Sequence, residues 1–372
     1  IPAGLFAKSL FNVSRVDLGL KADHMVLFSI SPELNSYTTE RTRQLFERVE
    51  DEMAAVPGVT SVVAAIVPVL AGDNWGNSLI VEGFEAGPDT NTNASFNGVG
   101  PGYFKTMSIP LMMGREFTRS DAFGAPKVAI VNQAFIKKFN LGDAPLGKRF
   151  APGGPGAKPD IEIVGVVQDA KYSDVKREVP PQYFLPYRQE ERLGYAYFYL
   201  RTAVPPEQLL ATIPAVMRKL DSSLPLGDIK TMEAQIQENV SQDRIISTLS
   251  LAFAVLATVL AAIGLYGVLA YTVAQRTREF GLRMALGADG GRVRGMVMKQ
   301  VAVMALVGGA IGLAIAIGVG RLAQSLLFQM TGYDPLVIGL AVVALAVVAM
   351  GAGFIPALRA SKIDPMNALR YE

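Results

Sequence analysis

Residues 245–275, 300–320 and 335–358 contain no Asp, Glu, Lys, Arg or His. Charged residues bound each run: Arg244 and Arg276, Lys299 and Arg321, Asp334 and Arg359. A helix of about 20 apolar residues crosses a bilayer, and one Arg or Lys at its centre costs roughly 2.5–3.5 kcal/mol on insertion scales. The pattern therefore predicts a multi-pass α-helical membrane protein with spans at about 249–273, 300–320 and 336–358. Ionisable groups inside a membrane mark ion and proton pathways. Their absence here argues against a proton-coupled carrier or a charge-lined channel. Gly308 and Gly312 in the second span fit the small-xxx-small pattern of close helix packing, either within one chain or across a dimer.

The charge balance separates two regions. Residues 22–248 hold 22 Lys and Arg against 27 Asp and Glu, the balance of an ordinary soluble domain, so the surplus of bases lies beside the apolar runs. Residues 1–11 are apolar but too short to span, and Lys8 lies inside them rather than before them as a signal peptide requires. Residues 1–21 are expected to be the end of a truncated transmembrane helix. The loop 276–299 carries six bases (Arg276, Arg278, Arg283, Arg292, Arg294 and Lys299) against Glu279 and Asp289. The positive-inside rule then puts that loop and the C-terminus in the cytoplasm and residues 22–240 outside it.

The soluble region predicts a large α+β extracytoplasmic domain of two lobes. Residues 25–31 and 59–67 alternate as strands around a helix that Thr38 or Thr39 can cap and Pro57-Gly58 ends. A second β-α-β unit follows at 196–201, 206–220 and 227–231, so the ends of the domain are expected to form one α+β lobe of βαβ units, about 22–100 and 190–240. Strands at 79–82, 128–132 and 161–167 and a short helix at 133–139 fall in or near an inserted lobe of about 101–189.

Catalytic chemistry finds little support. His24 is the only histidine and there is no cysteine, which excludes His-based metal sites and Ser-His-Asp catalysis. Residues 142–149 (GDAPLGKR) imitate a phosphate-binding loop, but Arg149 replaces the Ser or Thr that holds magnesium, and a helix rather than a strand precedes it. Acidic clusters such as Glu50, Asp51 and Glu52 read as solvated helix faces, and Trp75 as packing between lobes. No basic run with interleaved aromatics points to nucleic acid. No catalytic residue, metal or cofactor is expected.

The cytoplasmic loop carries more information. Phe280, Met284 and Leu286 interleave with Arg276, Arg278 and Arg283, as in a short amphipathic helix along the membrane face. Residues 287–291 break it, and the next helix starts near Arg292. Anchoring to anionic membrane lipid is one use for such a helix; docking a cytoplasmic partner is the other.

Residues 278–288 (REFGLRMALGA), followed by a basic helix and a span, resemble the coupling loop of MacB/FtsX-type ABC-transporter permeases. The closing residues 356–370 (PALRASKIDPMNALR) are similar to that family's C-terminal segment. Gly102-Tyr103-Phe104, Met113-Gly114-Arg115, Val131-Asn132 and residues 163–167 (IVGVV) resemble its MacB-like periplasmic domain. The resemblance implies a permease of a bacterial inner membrane whose exposed domain has an RND-porter-like lobe plus an inserted lobe, without ATPase chemistry of its own, working as a homodimer or paired half with a separate cytoplasmic ABC ATPase. Arg278, Glu279, Phe280, Gly281, Leu282, Arg283, Ala285, Leu286 and Gly287 would couple it to that ATPase. Spans without a polar pathway would then transmit motion through residues 240–247 to the exposed domain, which would extrude substrate. A membrane-anchored sensor that binds ligand without transport is the alternative, and it would need a cytoplasmic output domain.

Overall fold

The computed structural model describes residues 1–87, 89–153, 156–286, 288–324 and 327–362. They form two compact units, one of Val16–Ser241 and one of Ile1–Arg15 with the residues from Gln242 onward.

The first unit is built on four antiparallel strands. β1 (Met25–Ile30), α2 (Thr39–Ala54) and β2 (Val59–Ala65) make one half; β10 (Ala196–Thr202), α5 (Glu207–Leu210), α6 (Thr212–Leu220) and β11 (Leu226–Thr231) make the other. Their spatial order, β11-β1-β10-β2, interleaves the halves as in a ferredoxin-like fold. Phe28 pairs with Phe198 across β1 and β10, and the rings stack at 5.3 Å. α2 starts where Thr38 Oγ1 accepts the Arg41 N–H at 3.3 Å, and Leu45, Phe46, Val49 and Met53 bury its stripe against this sheet. The helix expected at 206–220 is two short helices meeting at Ala211.

Among the described residues, seven strands and two α-helices lie between β2 and β10. They are β3 (Gly76–Val81), β4 (Asn93–Val99), α3 (Tyr103–Met107), β5 (Leu111–Gly114), β6 (Val128–Asn132), α4 (Gln133–Lys138), β7 (Arg149–Pro152), β8 (Ile161–Val167) and β9 (Gln182–Pro186). Pairing runs β4-β3-β7-β8-β6-β9 and returns from β9 to β4, closing a six-strand barrel. Closure leaves these strands no open edge, the usual liability of a sheet. Leu79, Val81, Ala94, Val131, Phe150 and Tyr183 share one apolar cluster with Phe135 of α4 and Phe139 just after it. β3 and β4 therefore belong to the barrel and not to the porter-like lobe, where the sequence boundary near residue 100 put them. The barrel joins the four-strand sheet where β2 meets β4: Ala65 pairs with Val99, and the Ile66 N–H donates to the Gly98 carbonyl at 2.8 Å. α7 (Met232–Asn239) follows β11.

The second unit is helical. It contains α1 (Pro2–Val13), α8 (Ser241–Gln275), α9 (Thr277–Ala285), α10 (Gly290–Leu322) and α11 (Pro335–Ser361). α8, α10 and α11 are apolar and long enough to cross a membrane. A Cβ on Gly353 would come within 2.6 Å of Val301 Cγ2, so the lack of a side chain there sets the approach of α11 to α10. Around Gly308 and Gly312 a Cβ would meet nothing within 4 Å, which leaves that face of α10 uncovered by this chain among the described residues. Leu5 of α1 packs with Leu327 and Val337, and Lys8 Nζ reaches Asp334 Oδ2 at 2.5 Å.

Candidate coupling surface and family

α9 is a nine-residue helix held between the ends of two long ones. Arg276 precedes it in a non-helical conformation, and the Ala288 N–H closes its end on the Arg283 carbonyl at 2.9 Å. Asp289 then caps α10, its Oδ2 accepting the Gly291 N–H at 3.2 Å. A carboxylate at a helix N-terminus is favoured by both the free N–H groups and the helix dipole.

One face of α9 is an anchor. Phe280 is buried among Val293 and Val297 of α10 and Ala357 and Ala360 of α11, with Met284 packed at the edge. The two alanines make room for the ring. Gly281 is also buried. A Cβ on Gly290 would lie 2.9 Å from the Ser361 carbonyl oxygen, so the start of α10 and the end of α11 meet closely beside the anchor.

The other face is free within this chain. Arg278, Glu279, Leu282, Arg283, Ala285 and Leu286 are exposed, Leu286 at 80% of its surface and Leu282 at 50%. Leu286 thus lies away from the buried stripe where the sequence pattern grouped it with Phe280 and Met284. It follows the last helical residue, so the 3.6-residue period no longer sets its direction. Glu279 accepts from Arg283 Nη2 at 2.5 Å, one turn apart. Arg283 Nη1 also lies 2.8 Å from Met296 Sδ. An exposed pair of this kind adds little stability, but it holds a charged ridge between two bare leucines. Gly287 and residues 363–370 of the closing motif lie outside the described residues. Of the nine loop residues singled out by sequence, Phe280 and Gly281 are therefore fastened to the bundle, and six form an outward surface of mixed charge and leucine.

The exposed-domain motifs have structural roles that the sequence did not reveal. Gly102 (φ +83°) turns the chain into α3, where Tyr103 and Phe104 are buried against Phe184. Gly114 (φ +76°) passes so close to Val164 that no Cβ fits, and Arg115 makes two hydrogen bonds to Asp121 at 2.8 Å. His24 is exposed on a left-handed turn before β1, and Trp75 is 42% exposed, edge-on to Tyr195 at 6.1 Å. Glu50 overturns the expectation of a solvated acid. It is 8% exposed, with its carboxyl against Ala64 and Tyr187.

Comparison with known proteins agrees with this layout. Residues 12–216 match the MacB-like periplasmic core domain, and residues 251–365 match the FtsX-like permease C-terminal domain. The macrolide export ATP-binding/permease protein MacB of Chromobacterium violaceum is 27% identical over 328 residues, covering 85% of this chain and 50% of that protein. The ABC transporter permease YknZ of Bacillus subtilis is 24% identical over 297 residues, covering 76% of this chain and 72% of that one. The chain thus spans half the length of the first of these relatives. Among solved structures, the periplasmic region of MacB from Actinobacillus actinomycetemcomitans has a TM-score of 0.40 at 17% identity, covering 62% of this chain and 98% of that one. Joined in one chain, the two matched domains make this protein a member of the MacB/FtsX-like family of ABC transporter permeases.

Proposed function

We propose that this permease transmits ATP-driven motion from a separate cytoplasmic ABC ATPase to its exposed domain, which extrudes substrate on the far side of the membrane. The division of α9 carries this reading. Phe280 and Gly281 fasten the helix to α10 and α11, while Arg278, Glu279, Leu282, Arg283, Ala285 and Leu286 stay outside, with Gly287 next in line. A push on the outer face would move both long helices together, because the Phe280 anchor touches both. The loop 276–299 and the C-terminus would face the cytoplasm and residues 22–240 the other side, following the bases. Anionic lipid would meet the remaining arginines of the loop.

Pairing with a second permease chain or half would use the glycine face of α10 at Gly308 and Gly312, which no helix of this chain covers among the described residues. The absence of any ionisable residue in residues 245–275, 300–320 and 335–358 favours levers over a conduit. Relatives are named for macrolide and syringafactin export; for this chain we propose an exported amphiphile of that general kind.

The test is copurification followed by activity. An ATPase subunit should stay with the detergent-solubilised permease. Glu279→Lys, or Gly287→Pro, should uncouple ATP hydrolysis from export while leaving the fold intact. Unchanged export in both variants would overturn the coupling role, and reproducible absence of an ATPase would favour an anchored sensor.

A further inference from the structure

At the rim of the barrel of the exposed unit an open pocket of about 340 Å³, lined by the exposed Asn74, Asn91 and Asn93, plays no part in the proposed coupling. Four segments meet around it: the entry to β3 with Asn74, the entry to β4 with Asn91 and Asn93, Lys138 at the end of α4, and the Pro180-Pro181 step before β9. Gly76 keeps it open. A Cβ there would lie 2.7 Å from the Ala94 carbonyl oxygen and 3.0 Å from Asn93 Oδ1.

The hydrogen-bonding inventory of this wall is one-sided. Its acceptors are mostly engaged inside the protein. Asn91 Oδ1 takes the Asn93 N–H at 2.9 Å, and Asn74 Oδ1 takes the Ser95 hydroxyl at 3.3 Å. The Pro180 carbonyl accepts from Asn132 Nδ2 and the Pro181 carbonyl from the Ser95 N–H. The Asn93 carbonyl receives Lys138 Nζ at 2.6 Å, which leaves Asn93 Oδ1 as the one unengaged side-chain amide oxygen. The donors are in the opposite state. Among the described residues, the amide nitrogens of Asn74, Asn91 and Asn93 donate to no protein atom. Lys138 spends its hydrogens on the Asn93 carbonyl and a 3.5 Å contact to Asn91 Oδ1, with one N–H left over.

No carboxylate lines this cavity, whereas Asp143 lines a second one between α4 and β5, and Asp23, Glu207 and Glu233 line a third beside β11. A polyol would need several acceptors for its own hydroxyl protons, and Asn93 Oδ1 is the one side-chain amide oxygen of this wall left unengaged. A cation would meet Lys138 with no acid to balance it. A ligand that only accepts and carries negative charge matches what remains.

We propose that this cavity binds an oxyanion, the phosphate or carboxylate group of a small ligand, with Lys138 supplying the charge and Asn74, Asn91 and Asn93 the hydrogen bonds. Partial burial already holds the Lys138 ammonium below its usual pKa, so a bound anion would also restore the charged form it favours.

Calorimetric titration of the detergent-solubilised full chain with inorganic phosphate, glycerol phosphate and acetate tests this. Saturable binding of at least one anion is expected, weakened tenfold or more by Lys138→Met and by the double change Asn91→Ala with Asn93→Ala. Lys138→Arg should retain binding. Tighter binding of glycerol phosphate than of free phosphate would assign the site to a headgroup-type ester; the reverse would assign it to free phosphate, and a preference for acetate to a carboxylate. Thermal midpoints without anion, followed by Trp75 fluorescence, check that each variant is folded. The proposal is overturned by no saturable heat with any of the three anions, or by equal binding in folded Lys138→Met. Because the readout is anion binding and not export, its failure leaves the coupling role of α9 untouched.

Discussion

Tyr187 donates its phenolic hydrogen to Glu50 Oε2 at 3.1 Å, and the Ala64 N–H donates to Oε1 of the same carboxyl at 3.2 Å. The contact joins α2 to the short 3₁₀ turn, Tyr187–Gln189, that leads from the barrel strand β9 toward β10. Burial pushes the carboxyl up to about 7, against the pull of its two hydrogen bonds and of Arg188 and Arg119. The folded protein therefore holds this proton between about pH 4.5 and 7, where the unfolded chain releases it, so stability falls as pH rises through that window and levels off above it. At 1.36 kcal/mol per pKa unit the loss is on the order of 3 kcal/mol. Denaturant unfolding followed by Trp75, the sole tryptophan, should show this slope between about pH 4.5 and 7 and a plateau above. Glu50→Gln should flatten it. An equal slope in both proteins would mean that another group titrates.

Glu50 also shows why part of the unit was hard to read. Leu45, Phe46, Val49, Glu50 and Met53 follow one helical stripe, so the spacing put Glu50 on the buried face while its chemistry argued for water. Spacing prevailed because Tyr187, far along the chain, supplies the partner. The long helices were legible from missing charge, and the ferredoxin-like strands from alternation around capped helices. The barrel was not. β4 reads Asn-Ala-Ser-Phe-Asn-Gly-Val with no period of two, because Asn97 is buried and satisfied by both the N–H and the carbonyl of Val67. β5 has four residues, all exposed, and β9 follows two prolines. On α9 the residue types were legible, but which side would be fastened depended on Ala357 and Ala360, 77 and 80 residues beyond Phe280.

Asn132, one of the residues behind the family resemblance, ties three segments together while almost fully buried. Its Oδ1 accepts from the Phe135 N–H, capping α4, and from the Gln182 N–H, each at 2.9 Å; its Nδ2 donates to the Pro180 carbonyl at 2.9 Å. Asn132→Ala removes a cap worth about 0.5–2 kcal/mol and strands buried groups at roughly 1–3 kcal/mol each. Urea unfolding should show a loss of at least about 2 kcal/mol. Asn132→Asp keeps the accepting oxygen and should cost less. A loss below 1 kcal/mol for the alanine variant would contradict this role.

The glycines of the long helices should divide into two classes. Gly353→Ala drives a methyl into Val301 and should lower the thermal midpoint of the solubilised protein, with Val301→Ala restoring it, since the clash lies between those two side chains. Gly308→Ala meets nothing in its own chain and should leave that midpoint unchanged while weakening association of two copies, read by crosslinking in membranes. A fall in midpoint for Gly308→Ala with association intact would remove the pairing face from α10.

Asp334 has two tasks, and substitutions can separate them. Its Oδ1 caps α11 through the Leu336 and Val337 N–H groups, both at 3.1 Å, while Oδ2 holds Lys8 of α1. The Lys8 ammonium and these N–H groups keep its carboxyl below the usual aspartate range. Asn caps a helix as well as Asp but carries no charge. Asp334→Asn and Lys8→Met should thus lower the thermal midpoint by similar, small amounts, and Asp334→Ala by more than either. Lys8→Asp with Asp334→Lys should recover less than the wild type, because the swapped pair has no cap. Full recovery would show that the ion pair alone matters.

Phe280 makes the sharpest demand on the coupling surface. Truncating a buried Phe typically costs about 3–5 kcal/mol, but the cluster of Val293, Val297, Ala357 and Ala360 is one-sided and small, so Phe280→Ala should free α9 without unfolding α10 or α11. ATPase retention should persist, because Leu282, Leu286 and the charged ridge remain on the outer face. Export should fall, because a push on a loosened helix no longer reaches α10 and α11. Phe280→Leu should retain most export by refilling the pocket. Glu279→Lys should leave the helix fastened and still uncouple ATP hydrolysis from export, because it changes the outer ridge and not the anchor. Loss of retention in Phe280→Ala with the bundle intact would mean that the ATPase grips α9 through its anchor, and the two faces would exchange roles.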